Sequence, residues 1–152
     1  NDLNDLLSGH FTGLSAMAMT KRALDCVPKK FPNDIVFVDY WLACSLLSLG
    51  VAGAKADTVL DYRLSKSSHE ALKPSDDIDV LITRVNEVMK ILKHFKSDAD
   101  VSHSLQALDN LQQRLQSDPQ SVLFALKQIE PEWMLWCQDV FMLADYFEKN
   151  VS

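Results

Sequence analysis

Apolar residues recur at helical spacing through the second half of the chain. From Ile78 to Phe95 they stand three or four positions apart, which predicts a helix with one apolar face. Ser75, Asp76 and Asp77 come just before this stripe. A serine at the N-cap and acids in the first turn both stabilise a helix start, so we predict Ser75 as the N-cap.

Three further helices are predicted after this one. Leucines recur between residues 105 and 115, and Pro119 is typical of a first helical residue. An acid-proline-acid sequence at 130–132 precedes a last stripe, which ends at Phe147. The first stripe is too apolar to face water along its length. We therefore predict one helical bundle over residues 75–149.

The first half of the chain has shorter elements. Small apolar residues predict a strand near 11–19, and partial alternation with Val, Thr and Tyr predicts a second strand near 54–64. A helix of one or two turns is predicted at 21–26, and a leucine-rich helix at 40–49 is closed by Gly50. The predicted fold class is α+β and predominantly α.

The length of 152 residues is sufficient for a substantial hydrophobic core. We divide the chain into an N-terminal part, residues 1–73, and a C-terminal helical bundle, residues 74–152, which packs on it.

The net charge of −6 comes from the second half of the chain. Residues 1–75 hold eight basic and eight acidic side chains, whereas residues 76–152 hold seven basic and thirteen acidic ones. There is no basic stripe to neutralise phosphates, so we do not expect nucleic acid as a partner. The acidic half would also be repelled by an anionic membrane surface.

Membrane insertion and disulfide formation are not expected from the sequence. The uncharged run from Tyr40 to Ala54 is shorter than the ~20 residues of a membrane-spanning helix, and the N-terminus lacks a secretory signal pattern. The three cysteines, Cys26, Cys44 and Cys137, form no C-x-x-C pair and are predicted to be buried free thiols. We expect a cytoplasmic protein without a transmembrane segment.

Asp39 opens one of the most apolar stretches in the chain. No other charged residue occurs between it and Lys55. A carboxylate at this point is most simply explained as a helix N-cap. It could equally be the working group of a site, because backbone N–H groups at a helix N-terminus keep a carboxylate ionised and oriented. The two roles are compatible.

Three segments, taken in order, resemble a known family. They read "GLSAMAMTKRALD", "VDYWLACSLLSLG" and "AKADTVLDYRLSKSSH". Their order and spacing are similar to the acceptor-side half of family-two glycosyltransferases of the GT-A fold. Among these enzymes, bacterial rhamnosyltransferase-like members have the most similar order and spacing of motifs. The resemblance covers roughly residues 9–70, which is less than half of the chain.

The resemblance implies a function and a set of site residues. It implies part of an enzyme that moves a sugar from a nucleotide sugar to a glycan or lipid-linked acceptor in surface polysaccharide synthesis. Asp39 would be the general base that removes the proton of the acceptor hydroxyl. The substrate-binding residues implied are Gly13, Leu14 and Ser15 lining the sugar pocket, Trp41 behind the site, and Tyr62 and Arg63 near the diphosphate.

A divalent metal, Mg²⁺ or Mn²⁺, is also implied by the resemblance. In that family the nucleotide-binding half, with an Asp-x-Asp metal site, precedes the region matched here. We therefore expect the metal to be bound mainly outside this chain, and the isolated chain to be inactive. Asp98 and Asp100 also spell Asp-x-Asp, but they lie between two predicted helices and are predicted to be solvated helix-capping residues. His94 and His103 have no carboxylate or cysteine pair at ligand spacing, so no metal site is predicted at these histidines.

A second hypothesis belongs to another class of protein. The chain would then be a mostly helical binding or regulatory module without catalysis. A protein partner would pack on an apolar face of residues 78–149. A strand-rich segment with an Asp-x-Asp sequence upstream of Asn1 in the parent reading frame would favour the first hypothesis, and a frame that begins within a few residues of Asn1 would favour the second.

Overall fold

The computed structural model describes residues 3–8, 19–27, 35–50, 76–129 and 138–150. These residues contain seven helices and no strand. The helices are α1 (Leu3–Leu7), α2 (Lys21–Cys26), α3 (Val38–Ser48), α4 (Ile78–His94), α5 (Ser102–Ser117), α6 (Pro119–Ile129) and α7 (Gln138–Asn150). The described part of the protein is therefore predominantly helical, as predicted.

The two predicted strands are not seen. Apart from Met19, which is in neither a helix nor a strand, the segments 11–19 and 54–64 lie outside the described residues. The β component of the predicted α+β class is therefore not supported. Helix α2 coincides with the predicted 21–26 segment, and the Thr20 hydroxyl caps it by accepting the Ala23 N–H at 3.1 Å.

The helical bundle of the second half is confirmed. Helix α4 packs against α5 and α7, α5 packs against α6 and α7, and α6 packs against α7. Leu81, Val85, Val88 and Leu92 of α4 are fully buried, because their three- and four-residue spacing places them on one side of the helix. The apolar stripe of α4 is covered by the chain's own helices, whereas Val80 and Phe124 are 37% and 62% exposed.

The observed start of α4 corrects the predicted cap. Asp77, not Ser75, is the N-cap, and its Oδ1 accepts the N–H groups of Asp79 and Val80 at 2.9 and 3.4 Å. Ser75 lies outside the described residues. An aspartate caps as well as a serine, so the predicted signal was correct but two positions early.

Helix α6 begins as predicted at Pro119, and Asp118 Oδ1 accepts the Ser121 N–H at 3.3 Å. The described part of the last helix begins at Gln138, and residues 130–137 lie outside the described residues.

A buried ion pair connects α4 to α7. The Arg84 guanidinium donates to Asp139 Oδ2, and the Asp139 side chain is completely buried. Asp139 Oδ1 also accepts the Val140 N–H at 2.9 Å, in the first turn of α7. Because a buried carboxylate is costly without donors, this pair restricts how α4 and α7 can slide past one another.

Helix α3 belongs to the same hydrophobic core as the bundle. The Tyr40 ring meets the Phe141 ring of α7 edge to face, with 6.4 Å between centroids. The Tyr40 hydroxyl donates to the Leu6 carbonyl of α1 at 3.0 Å. Gly50, with φ of 64°, follows the helix in the left-handed conformation that glycine adopts readily. Helix α3 is thus held between α1 and the bundle.

None of the described helices combines the length and apolar character that crossing a membrane requires. Among the cysteines that the structure describes, Cys44 is buried as predicted. Cys26 is exposed, which corrects the prediction for that residue, because α2 buries none of its side chains. Cys137 lies outside the described residues.

Candidate functional site

The segment that leads into α3 alternates between core and surface. Ile35 and Phe37 are buried, whereas Val36 and Val38 are 62% and 43% exposed. Two buried side chains separated by one residue fix an extended segment against the core. The backbone just before Asp39 is therefore anchored by packing.

A tight turn at Phe37 directs this segment into the helix. Phe37 has φ of −81° and ψ of 70°, and the Val38 N–H donates to the Val36 carbonyl at 2.9 Å. These values define an inverse γ-turn. Phe37 is the N-cap of α3 and makes no side-chain capping hydrogen bond. The direction of the helix start therefore depends on the backbone of residues 35–37.

Asp39 lies in the first turn of α3 and is half-buried. Its Oδ1 accepts the Tyr40 N–H at 3.0 Å. No other hydrogen bond or ion pair reaches this carboxylate from the described part of the chain. The N-cap hypothesis for Asp39 is wrong, since Phe37 occupies that position. An acid in the first turn still stabilises the helix through its dipole.

Glu87 of α4 holds the segment that precedes Asp39. Its Oε2 accepts the Val36 N–H at 3.0 Å, and its Oε1 accepts from Lys90 Nζ at 2.8 Å. Glu87 is only 6% exposed. Sequence reasoning missed this residue, because a glutamate in an amphipathic helix is usually part of the solvated face.

Trp41 is buried in the core and does not share a face of α3 with Asp39. Its side chain is 2% exposed, and its ring centroid lies 6.1 Å from that of His94. Residues two positions apart are rotated by about 200° around a helix. The structure therefore does not bring Trp41 and Asp39 together on one side of α3. The other predicted substrate-binding residues, Gly13, Leu14, Ser15, Tyr62 and Arg63, lie outside the described residues.

A polar groove lies between α4 and α5, beside Glu87. Its volume is about 360 Å³, and Asn86, Lys90 and Gln112 line it together with Glu87. Gln112 Nε2 donates to Asn86 Oδ1 across the groove. Because Glu87 also accepts the Val36 N–H, the groove adjoins the segment that leads to Asp39. Its amide and amine groups can hydrogen-bond a polar ligand.

The described residues do not fit a metal ion. No three His, Cys, Asp or Glu side chains within the described ranges come together as ligands. Asp98 and Asp100 are exposed, and Asp100 Oδ1 accepts the Ser102 N–H at 3.1 Å, at the start of α5. This hydrogen bond lowers the pKa of Asp100 below its ordinary value of 3.8. Asp100 therefore accepts an N–H at the start of α5, whereas the Asp98 carboxylate accepts the hydroxyl groups of Ser48 and Ser97, so the capping prediction does not hold for Asp98.

His94 and His103, for which no metal site was predicted, make other contacts. The His94 ring packs edge-on against the Phe95 ring at 4.9 Å, and His103 Nε2 lies 3.3 Å from a carboxylate oxygen of Glu148.

The chain matches no protein-family model, no curated protein and no solved structure with which it was compared.

Proposed function

We propose that this chain is the acceptor-side part of a nucleotide-sugar glycosyltransferase and that Asp39 is its general base. The enzyme would transfer a sugar to a glycan or lipid-linked acceptor in bacterial surface polysaccharide synthesis. The observation that carries the proposal is the position of Asp39. It is a half-buried carboxylate in the first turn of α3, within the Asp-Tyr-Trp-Leu sequence on which the resemblance rests.

The proposed step is an inverting sugar transfer. The acceptor hydroxyl oxygen attacks the anomeric carbon of the donor sugar, and Asp39 takes the hydroxyl proton. The bond between the anomeric carbon and the diphosphate oxygen breaks, and the nucleoside diphosphate leaves with the bonding electron pair. A positioned base contributes about 10²–10⁴-fold to such a step.

Two features around Asp39 support this role. Its only hydrogen bond among the described residues comes from the Tyr40 N–H, which leaves carboxylate lone pairs available for a proton. The neighbouring Val36 and Val38 side chains are exposed and apolar, so they can form part of a surface that a sugar ring covers.

The divalent metal belongs to the proposal only as an expectation. Since the described residues do not fit a metal, we derive no step through it. Mg²⁺ or Mn²⁺ would be held mainly outside this chain, and Tyr62 and Arg63 would lie near the donor diphosphate.

The test of the proposal is transferase activity of the full-length gene product. The protein would be incubated with common uridine and deoxythymidine diphosphate sugars, Mg²⁺ or Mn²⁺, and a bacterial envelope extract as acceptor. We expect acceptor-dependent release of a nucleoside diphosphate from at least one donor. Absence of release from every donor would contradict the proposal and favour the helical binding module.

A further inference from the structure

We propose that Glu87 is a positioning residue that fixes the start of α3 and thereby the Asp39 carboxylate. This inference rests on the proposed function, since it gives Glu87 a role in the reaction through Asp39. Glu87 belongs to the helical bundle, and the resemblance to glycosyltransferases does not extend to that part of the chain. The bundle would therefore contribute to the site and not only to stability.

The contact joins two distant parts of the sequence. Fifty-one positions separate Val36 from Glu87, and the hydrogen bond between them is 3.0 Å long. The bond holds Val36, which is the first residue of the γ-turn centred on Phe37. Glu87 thus supplies a side-chain hydrogen bond from the bundle to the segment that leads into α3. The Asp39 Cα lies three residues beyond the held N–H.

The charge of Glu87 makes the contact stronger than an ordinary hydrogen bond. The carboxylate is buried and accepts from both a backbone N–H and an ammonium group. Hydrogen bonds to an ionised acceptor are roughly twice as strong as neutral ones. Lys90 is 43% exposed, so much of its charge is hydrated and the ion pair itself is of modest value. Of the two contacts of Glu87, the hydrogen bond from the Val36 N–H therefore contributes more than the Lys90 ion pair to fixing the start of α3.

Two substitutions at this position separate the contributions. Glu87→Ala removes both hydrogen bonds. Glu87→Gln keeps an amide oxygen that can still accept the Val36 N–H but loses the charge. If positioning is the role, Glu87→Gln should retain most of the function and Glu87→Ala should not.

The first experiment is amide hydrogen exchange on the chain itself. In Glu87→Ala we expect the Val36 amide to exchange roughly 10-fold faster, which is the effect of losing one charge-assisted hydrogen bond. The amides of α6, which are far from the contact in the sequence, should keep their rates. Asp79→Ala, an exposed acid of the same helix, is the matched control and should leave Val36 unchanged. An unchanged Val36 rate in Glu87→Ala would overturn the inference.

The second experiment is kinetic and uses the donor that the wild-type full-length protein turns over. Glu87→Ala should lower kcat at least 10-fold with the donor KM within twofold, and Glu87→Gln should recover most of the loss. On the Asp39→Asn background, Glu87→Ala should have little further effect, because Glu87 acts through Asp39.

The possible outcomes distinguish the two proposals. An equal loss on both backgrounds would mean general destabilisation and would overturn the inference, as would an unchanged kcat in Glu87→Ala. Absence of transfer by the wild-type protein would instead overturn the proposed function, and with it the positioning role of Glu87 in the reaction.

Discussion

Leu92→Ala tests whether the α4 stripe is the core of this protein. Leu92 is completely buried among the helices of the bundle. The substitution removes three carbon atoms, and at about 0.8 kcal/mol for each buried CH₂ the lost transfer free energy is roughly 2.4 kcal/mol. The cavity left behind adds to this, so we expect a total loss of about 3–4 kcal/mol, within the usual range for Leu→Ala.

The assay is urea unfolding followed by far-ultraviolet circular dichroism. With a slope of about 2 kcal/mol per M urea, the expected loss lowers the unfolding midpoint by roughly 1.5–2 M. The expected loss of about 3–4 kcal/mol is a large share of a typical domain's stability of ~5–15 kcal/mol. Lys93→Ala is the matched control, because Lys93 is the exposed neighbour on the same helix. Its midpoint should stay within the equivalent of about 0.5 kcal/mol of the wild type.

Equal midpoints for Leu92→Ala and Lys93→Ala would refute this reasoning. The stripe would then not be core, and it would be available to a protein partner. The binding-module hypothesis would gain at the expense of the glycosyltransferase proposal.

Three other predictions concern polar contacts. Arg84→Met should cost about 3–5 kcal/mol in urea unfolding, because the buried Asp139 carboxylate loses its guanidinium. The double variant with Asp139→Leu should recover most of that loss. Tyr40→Phe should cost about 0.5–1.5 kcal/mol in the same assay, since it removes the buried hydrogen bond to α1. Ser48→Ala should move the Asp98 carboxyl titration, followed by NMR, upward, because the Ser48 hydroxyl is the main cause of its lowered pKa.

Each of these has a contrary result. A double variant no more stable than Arg84→Met would mean that the loss does not come from the buried charge. An unchanged midpoint in Tyr40→Phe would mean that α1 is not held through this hydroxyl. For Asp98, a lowered folded pKa means that its stabilising contribution is present above pH 3.8 and is lost as the pH falls through the folded value. If the stability of Ser48→Ala fell with decreasing pH in the same way as that of the wild type, that assignment would be contradicted.

The helices of the bundle could be predicted because each repeats its apolar residues at helical spacing. Pro119 and Gly50 mark one helix start and one helix end by backbone conformation alone, and both were correct. The strand near 54–64, predicted from partial alternation and from Val, Thr and Tyr, lies outside the described residues and stays a prediction.

The contacts around the candidate site were harder to predict. Glu87 meets Val36 across 51 positions, and nothing in the local pattern of either segment indicates that pairing. Arg84 offered a signal, because it lies within the apolar stripe, three residues after Leu81 and four before Val88. A charged residue at such a position indicates a buried partner, but the sequence does not say that the partner is on α7. The role of Asp39 stays a prediction that rests on sequence resemblance and on its place at a helix start.

The most direct test of the account is the turnover of Asp39→Asn in the full-length gene product. We expect kcat to fall roughly 10²–10⁴-fold while donor binding, measured by calorimetric titration, stays nearly unchanged. The matched control is Asp79→Asn, an exposed acid at the equivalent position in the first turn of α4, which should keep wild-type turnover. Each substitution costs only about 0.3–1 kcal/mol of helix-dipole stabilisation, so unfolding does not explain a large loss. Near-normal turnover in Asp39→Asn would contradict the account and reduce Asp39 to a first-turn acid that only stabilises α3.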